Sequence, residues 1–224
     1  KGAFNISLGT PLPEEPVVSA AMRMISIAEG KAEIDTVSSI LLSPFFSGGE
    51  EMIALAGLDA WLKEKNCLAI SLYELRGIAS GRTGLEGFTV RVGTWIELLR
   101  EARRPRTPGL WARHFSAVLK ETGWLRPVGL TSAEFQGIKA WNRVLEEMSS
   151  LDDILGQISR VEAVAKVTSM AGETIHQSES GASGVHVLGL LEATGQDFDH
   201  LWIMGCHEFA LPSQPSPNPF IPAY

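Results

Sequence analysis

The spacing of apolar residues changes once along this chain, near residue 171, and that change limits the fold more than any other feature. Before it, apolar residues recur every three or four positions, as on one face of a helix. After it come two continuous apolar runs, Val185–Leu191 and Leu201–Cys206, which read as buried strands of a parallel sheet covered on both faces. Two strands do not make a stable sheet alone. Their partners are expected from the N-terminal segment or from polypeptide beyond this chain. The fold class expected is mixed α/β, mostly helical.

The helical part reads element by element. Glu14, Glu15 and Pro16 suit a first turn, and Val17, Val18, Ala21, Met24, Ile25 and Ala28 continue one face to about Glu29. A short helix is expected over Ile34–Leu42. Ser47 and Glu50 have capping-box spacing for a helix to about Asn66, with Met52, Leu55, Ala56, Leu58 and Leu62 inward. Ser71 and Glu74 suit the start of another, ending near Ala79. Gly77, Gly81, Gly84 and Gly87 suggest a loop over 77–88. Helices follow from Val90 to Arg103, and from Thr107-Pro108 to Gly123. Thr131 and Glu134 open a helix presenting Phe135, Ile138, Trp141, Val144, Leu145 and Met148, and a last helix is expected over 151–170. Residues 171–184, rich in Gly, Ser, Thr and Glu, read as a loop.

At 45% hydrophobic and 20% charged, the chain has material for a real core. No apolar run approaches the roughly 20 residues of a membrane span. Both ends read as cuts within a longer protein. Cys67 and Cys206 are too few for a disulfide framework and suggest a reducing, cytoplasmic setting.

Charge is unevenly spread. Residues 1–75 hold 5 Lys/Arg against 10 Asp/Glu, residues 76–126 hold 10 against 4, and residues 127–224 hold 4 against 12, so net charges of −5, +6 and −8 sum to −7. In the basic middle, Arg103, Arg104, Arg106 and Arg113 gather around one helix junction with Trp95, Trp111 and Trp124 interleaved. Cations neutralise phosphates and aromatic faces stack on bases, so these arginines are the candidate DNA contacts; the tryptophans fit a helical core at least as well. A solvated cationic face remains the alternative.

Motifs for chemistry are missing. There is no G-x-x-x-x-G-K-[ST] loop to cradle nucleotide phosphates. His186, His200, Cys206 and His207 lack the paired spacing of a structural zinc site, and no metal or other cofactor is expected. No catalytic site is expected within the chain.

The run VHVLGLLEATGQDFDHLWIMGCHEFALP, Val185 to Pro212, resembles helicase motif V and its following strand in UvrD-type superfamily 1 helicases. Gly195 stands on the motif glycine and Phe198 on its aromatic, while Gly205 and Pro212 match the closing element. The polar positions differ. Gly189 stands where that family has Thr, Leu191 where it has His, Thr194 where it has Lys, and Asp197 where it has Glu. SLGTPLPEEPVVSAAMRMI, GWLRPVGLTSAEFQGIKAW and PSPNPFIP are similar to segments of AddB/RecC-like bacterial DNA-repair proteins carrying a C-terminal PD-(D/E)XK-type nuclease. The resemblance implies an inactivated helicase-like module. It implies a partial RecA-like 2A domain from residues 1–13 and 171–224, with residues 14–170 as a helical 2B-like insertion. The implied partners are DNA and other domains or a helicase subunit, in positioning DNA during double-strand break processing. Docking to protein without any DNA contact is the alternative.

Overall fold

Residues 4–6 (backbone only), 9–28, 30–125, 129–176 and 185–207 are described by the computed structural model. The chain divides into two units, residues 1–187 and 188–224. Among the described residues helices dominate, about 60% against 8% strand, so the fold is mixed α/β and mostly helical, with small sheets. Among the described residues no helix is long and apolar enough to cross a membrane.

The first unit is built around helix α1 (Pro16–Ser26). Pro16 sits in the first turn, where an amide proton has no helical partner to lose. Val17, Val18, Ala21, Met24 and Ile25 form a fully buried stripe. Against α1 pack α2 (Ile34–Leu41), α6 (Pro108–Thr122), α7 (Ser132–Ser149) and α9 (Arg160–Glu173). Arg160 on α9 donates from Nη2 to the carbonyls of Ile25 and Ile27 at the open end of α1. The other helices are α3 (Glu50–Glu64), α4 (Leu72–Ala79), α5 (Glu86–Glu101) and α8 (Asp152–Leu155).

The capping boxes expected at Ser71–Glu74 and Thr131–Glu134 form, and a third, Ser159–Glu162, opens α9. The box expected at Ser47–Glu50 does not. Helix α3 starts after Gly49, whose φ is 61°, because a first turn through Gly48-Gly49 would carry the conformational cost of two glycines. Leu55, Leu58 and Leu62 of α3 are buried, but Met52 and Ala56 face outward. Asp59 takes the flanking inward position, accepting from Ser38 Oγ and from Lys63 Nζ at 2.8 Å. The glycine-rich loop is shorter than 77–88. Gly77 lies inside α4 and Gly87 inside α5, where a Cβ would approach Glu51 Oε1 to 3.2 Å; close packing, rather than a turn, explains Gly87.

The single helix expected over 151–170 is broken at Gly156 (φ 61°) into α8 and α9. The break has a use. Asp152 at the start of α8 accepts from Gly109 N at 2.6 Å and from Thr107 Oγ1 at 3.0 Å, so it caps α6, whose own N-cap residue Thr107 makes no side-chain cap. Ile158, in the connection, accepts Trp111 Nε1 at 2.9 Å and pairs its backbone with Arg106. In α7, Ile138, Trp141, Val144, Leu145 and Met148 are buried as expected, but Phe135 is 52% exposed.

Three two-stranded sheets complete the described structure. β3 (Lys31–Glu33) and β4 (Ala69–Ser71) pair antiparallel, as do β2 (Thr10–Pro11) and β5 (Ile175–His176). β1 (Phe4–Ile6) pairs parallel with β6 (Val185–Val187), Phe4 opposite Val185, so the N-terminal segment does supply the partner strand. The strand expected over 185–191 stops at Val187, and its valines are exposed rather than buried. The strand expected over 201–206 does not form. Leu201–Cys206 has no regular secondary structure and is exposed throughout. A continuous apolar run becomes a strand only where a neighbouring strand takes its backbone hydrogen bonds and a layer covers its faces; among the described residues this run has neither.

Candidate functional site

The basic junction joins the end of α5 to the start of α6. Its tryptophans belong to the core. Trp95 and Trp111 are at most 3% exposed, and half-buried Trp124 donates Nε1 to Val17 O at 3.1 Å. The rings of Trp95 and Trp111 are closed to a base, whereas Trp124 lines a cavity of about 420 Å³ together with Arg91 and Lys120. The arginines divide by environment. Arg103, Arg104 and Arg113 are exposed, while Arg106 is half-buried. The Arg106 guanidinium lies 5.6 Å from the Trp111 ring centroid and donates to Glu101 O. Arg113 donates Nε to Gly109 O, one turn back, at 3.3 Å. Arg104 has no ion pair or hydrogen bond among the described residues. The expected cluster is therefore a local strip, with Arg106 anchored to the core beneath it.

His114 follows Arg113 on α6. It is 6% exposed, and its Nε2 has no hydrogen-bond partner. Burial first, and then the positive charges of Arg106 and Arg160, push its pKa down to about 4. The imidazole is thus neutral at pH 7 and packs edge-on to Trp111, with 5.6 Å between ring centroids.

Other cations of the basic segment are committed elsewhere, which lowers its outward charge below the sequence tally. Arg91, 6% exposed, makes a bidentate pair with Glu51 at 2.9 and 3.0 Å, joining α5 to α3 across Phe46. Arg100 pairs with Glu97 at 3.0 Å and lies over Tyr73. Arg82 lies 4.6 Å from the Trp61 ring centroid. Only spatial neighbours could reveal the buried Arg91–Glu51 pair, since 40 residues separate its partners. Arg126 lies outside the described residues.

In the second unit, the positions matched to motif V form a small turn structure. Ala193 N donates to Gly189 O at 3.0 Å, Thr194 Oγ1 donates to Leu190 O at 3.0 Å, and Gly195 closes the turn with φ 78°. Leu191, Thr194, Gly195 and Asp197 are exposed, whereas Gly189 and Phe198 are half-buried. Thr194 spends its hydroxyl on the backbone, and apolar Leu191 points into solvent. Pro212 lies outside the described residues. Among the described residues no group of three or more His, Cys, Asp or Glu side chains could hold a metal ion.

A separate cavity of about 700 Å³ opens beside the first turns of α7, between Thr131, Arg143 and His176. Comparison of the chain with protein-family models, with curated proteins and with solved structures finds no match.

Proposed function

We propose that this chain is a non-catalytic, helicase-like module of an AddB/RecC-type bacterial DNA-repair helicase–nuclease, positioning DNA or a partner subunit during double-strand break processing. The observation carrying this reading is the exposure of Arg103, Arg104 and Arg113 around the α5–α6 junction of an otherwise acidic chain. Exposed cations gathered at a helix junction suit a phosphate backbone, which attracts charge without regard to sequence. The parallel pairing of β1 with β6 supports the proposed architecture. It draws together the two ends of the helical body, as an insertion of residues 14–170 into a RecA-like α/β domain requires. The departures at Gly189, Leu191 and Thr194 fit a module whose motor function is lost.

The test is a titration of DNA against salt. Replacing Arg103, Arg104, Arg106 and Arg113 with Gln is expected to weaken binding similarly for every DNA sequence, and to flatten the salt slope by up to about one unit per lost phosphate contact. Unchanged affinity and slope would hand the lead to the second reading, a protein-docking module without DNA contact. That reading has its own observation: Leu191, Trp202 and Met204 are each more than 80% exposed, an apolar run of the kind that protein partners cover.

A further inference from the structure

We infer that the outward face of α3 is a self-association surface, on which a second copy of this chain packs its own α3 in the antiparallel sense. From Met52 to Leu62 the helix carries a single charged residue, Asp59, and that side chain is buried. Leu55, Leu58 and Leu62 take the inward face. Ile53, Ala56 and Ala60, three and four positions apart, line the opposite one, flanked by Met52 and Gly57. All five are exposed, Ile53 to 72% and Met52 to 41%. A helix that meets water on one side ordinarily carries polar or charged side chains there, whereas a helix that is apolar all round is covered all round. Within the chain that cover is incomplete. One flank is closed, since Arg82 lies 4.6 Å from the Trp61 ring centroid and Gly84 approaches Ala54. Gly57 has nothing within 4 Å of the position a Cβ would take, so the backbone there is open to close approach.

The charges at the two ends of the face point to its occupant. Glu50 opens the helix, exposed and without an ion pair among the described residues. Lys63 stands in the last turn with its side chain half exposed. Lys63 Nζ meets Asp59 Oδ2 at 2.8 Å, and an ammonium has donors left for a second carboxylate. A two-fold axis between Ala56 and Gly57, with the helices antiparallel, sets Ile53 against Ala60 of the second copy and Glu50 against its Lys63, each twice by symmetry. Large then meets small across the middle, and unlike charges meet at both ends. The face is thus complementary to itself. A parallel pairing instead sets Glu50 against Glu50 and Lys63 against Lys63. A single helix face offers less than the roughly 1,200 Å² of a stable specific interface, so the pair is expected to form reversibly as concentration rises. The inference draws nothing from the arginine junction, and the DNA-handling reading neither needs nor opposes it.

Sedimentation velocity of the whole chain, from low micromolar to near-millimolar concentration, tests the pairing. Wild type is expected to pass reversibly from monomer to dimer. Ala56→Glu keeps a good helix former at an exposed position but sets two carboxylates beside the axis, and should weaken the dimer at least about tenfold. Its circular dichroism and its thermal unfolding at low concentration should match those of wild type, which separates lost pairing from lost fold. Glu50→Lys should weaken the dimer about fivefold, because each new ammonium faces a Lys63. A chain that stays monomeric at every concentration would overturn the inference and leave the face to a different polypeptide. A dimer that Ala56→Glu leaves intact would overturn it too; loss of that dimer in Trp202→Glu/Met204→Glu would place the interface on the apolar run of the second unit. A Glu50→Lys dimer as tight as wild type would overturn the antiparallel arrangement, since parallel pairing only exchanges one like-charge contact for another.

Discussion

Helix α7 and the segment Leu201–Cys206 are both rich in large apolar side chains, yet they meet opposite fates. In α7, Trp141 and Met148 are completely buried. In the segment, Trp202 is 87% and Met204 82% exposed. The helix satisfies its own backbone hydrogen bonds and needs only one face covered, which α1, α6 and α9 provide. A strand must find its hydrogen-bond partners in other strands and cover two faces. Between these two regions, hydrophobicity became burial where the secondary structure satisfies its own backbone and neighbouring helices cover one face.

The largest expected effect tests this contrast directly. Trp141→Ala should destabilise the chain by about 3–5 kcal/mol through the cavity it leaves, whereas Trp202→Ala should change stability by no more than about 0.5 kcal/mol. Urea unfolding of both variants measures the difference. Comparable losses would mean that the segment has a core of its own, and would erase the comparison.

The next effect sharpens how rigid the helical body is. His114 is held neutral, with its folded pKa near 4 below an ordinary value of 6.5. As pH falls from 6.5 towards 4 the unfolded chain takes up a proton that the folded chain refuses. This contribution therefore lowers stability progressively across that window, by up to about 3 kcal/mol, and is constant below it. His114→Gln should remove that part of the pH dependence, read from thermal unfolding between pH 4 and 7. An unchanged profile in the variant would show that the body opens enough to hydrate this site.

A smaller effect concerns the cap that replaced the expected continuous helix. Asp152→Ala should cost about 2 kcal/mol, since it removes a carboxylate from the first-turn amide of buried Gly109 in α6. Amide exchange at Gly109, which donates to Asp152 Oδ1, should rise in step. If stability is unchanged, water caps α6 equally well and the break at Gly156 has another cause.

Much of the helical body was legible in the residues themselves. The starts of α1, α4 and α7 follow from Pro16, Ser71–Glu74 and Thr131–Glu134, because caps and first-turn prolines act within four residues of where they stand. The end of α6 at Gly123 follows from the left-handed conformation that glycine adopts readily there. The arginine strip was legible as composition, but its electrostatics were not. Arg91 counts as a surface cation in a linear tally, whereas Glu51, from another helix, takes it into the interior.

The cavity at α7 was legible only in part. Lys139 and Arg143 share a helix face by spacing, but His176 reaches that face through the pairing of β2 with β5. What the sequence determined by itself was local: helical period, helix starts, the glycine turns and the overall excess of helix over strand. These depend on interactions between residues a few positions apart. Tertiary structure alone decided which apolar run is covered, which charge is neutralised and which cap Asp152 supplies. Each depends on a partner tens of residues away, and only the packed chain brings such partners within a few ångströms.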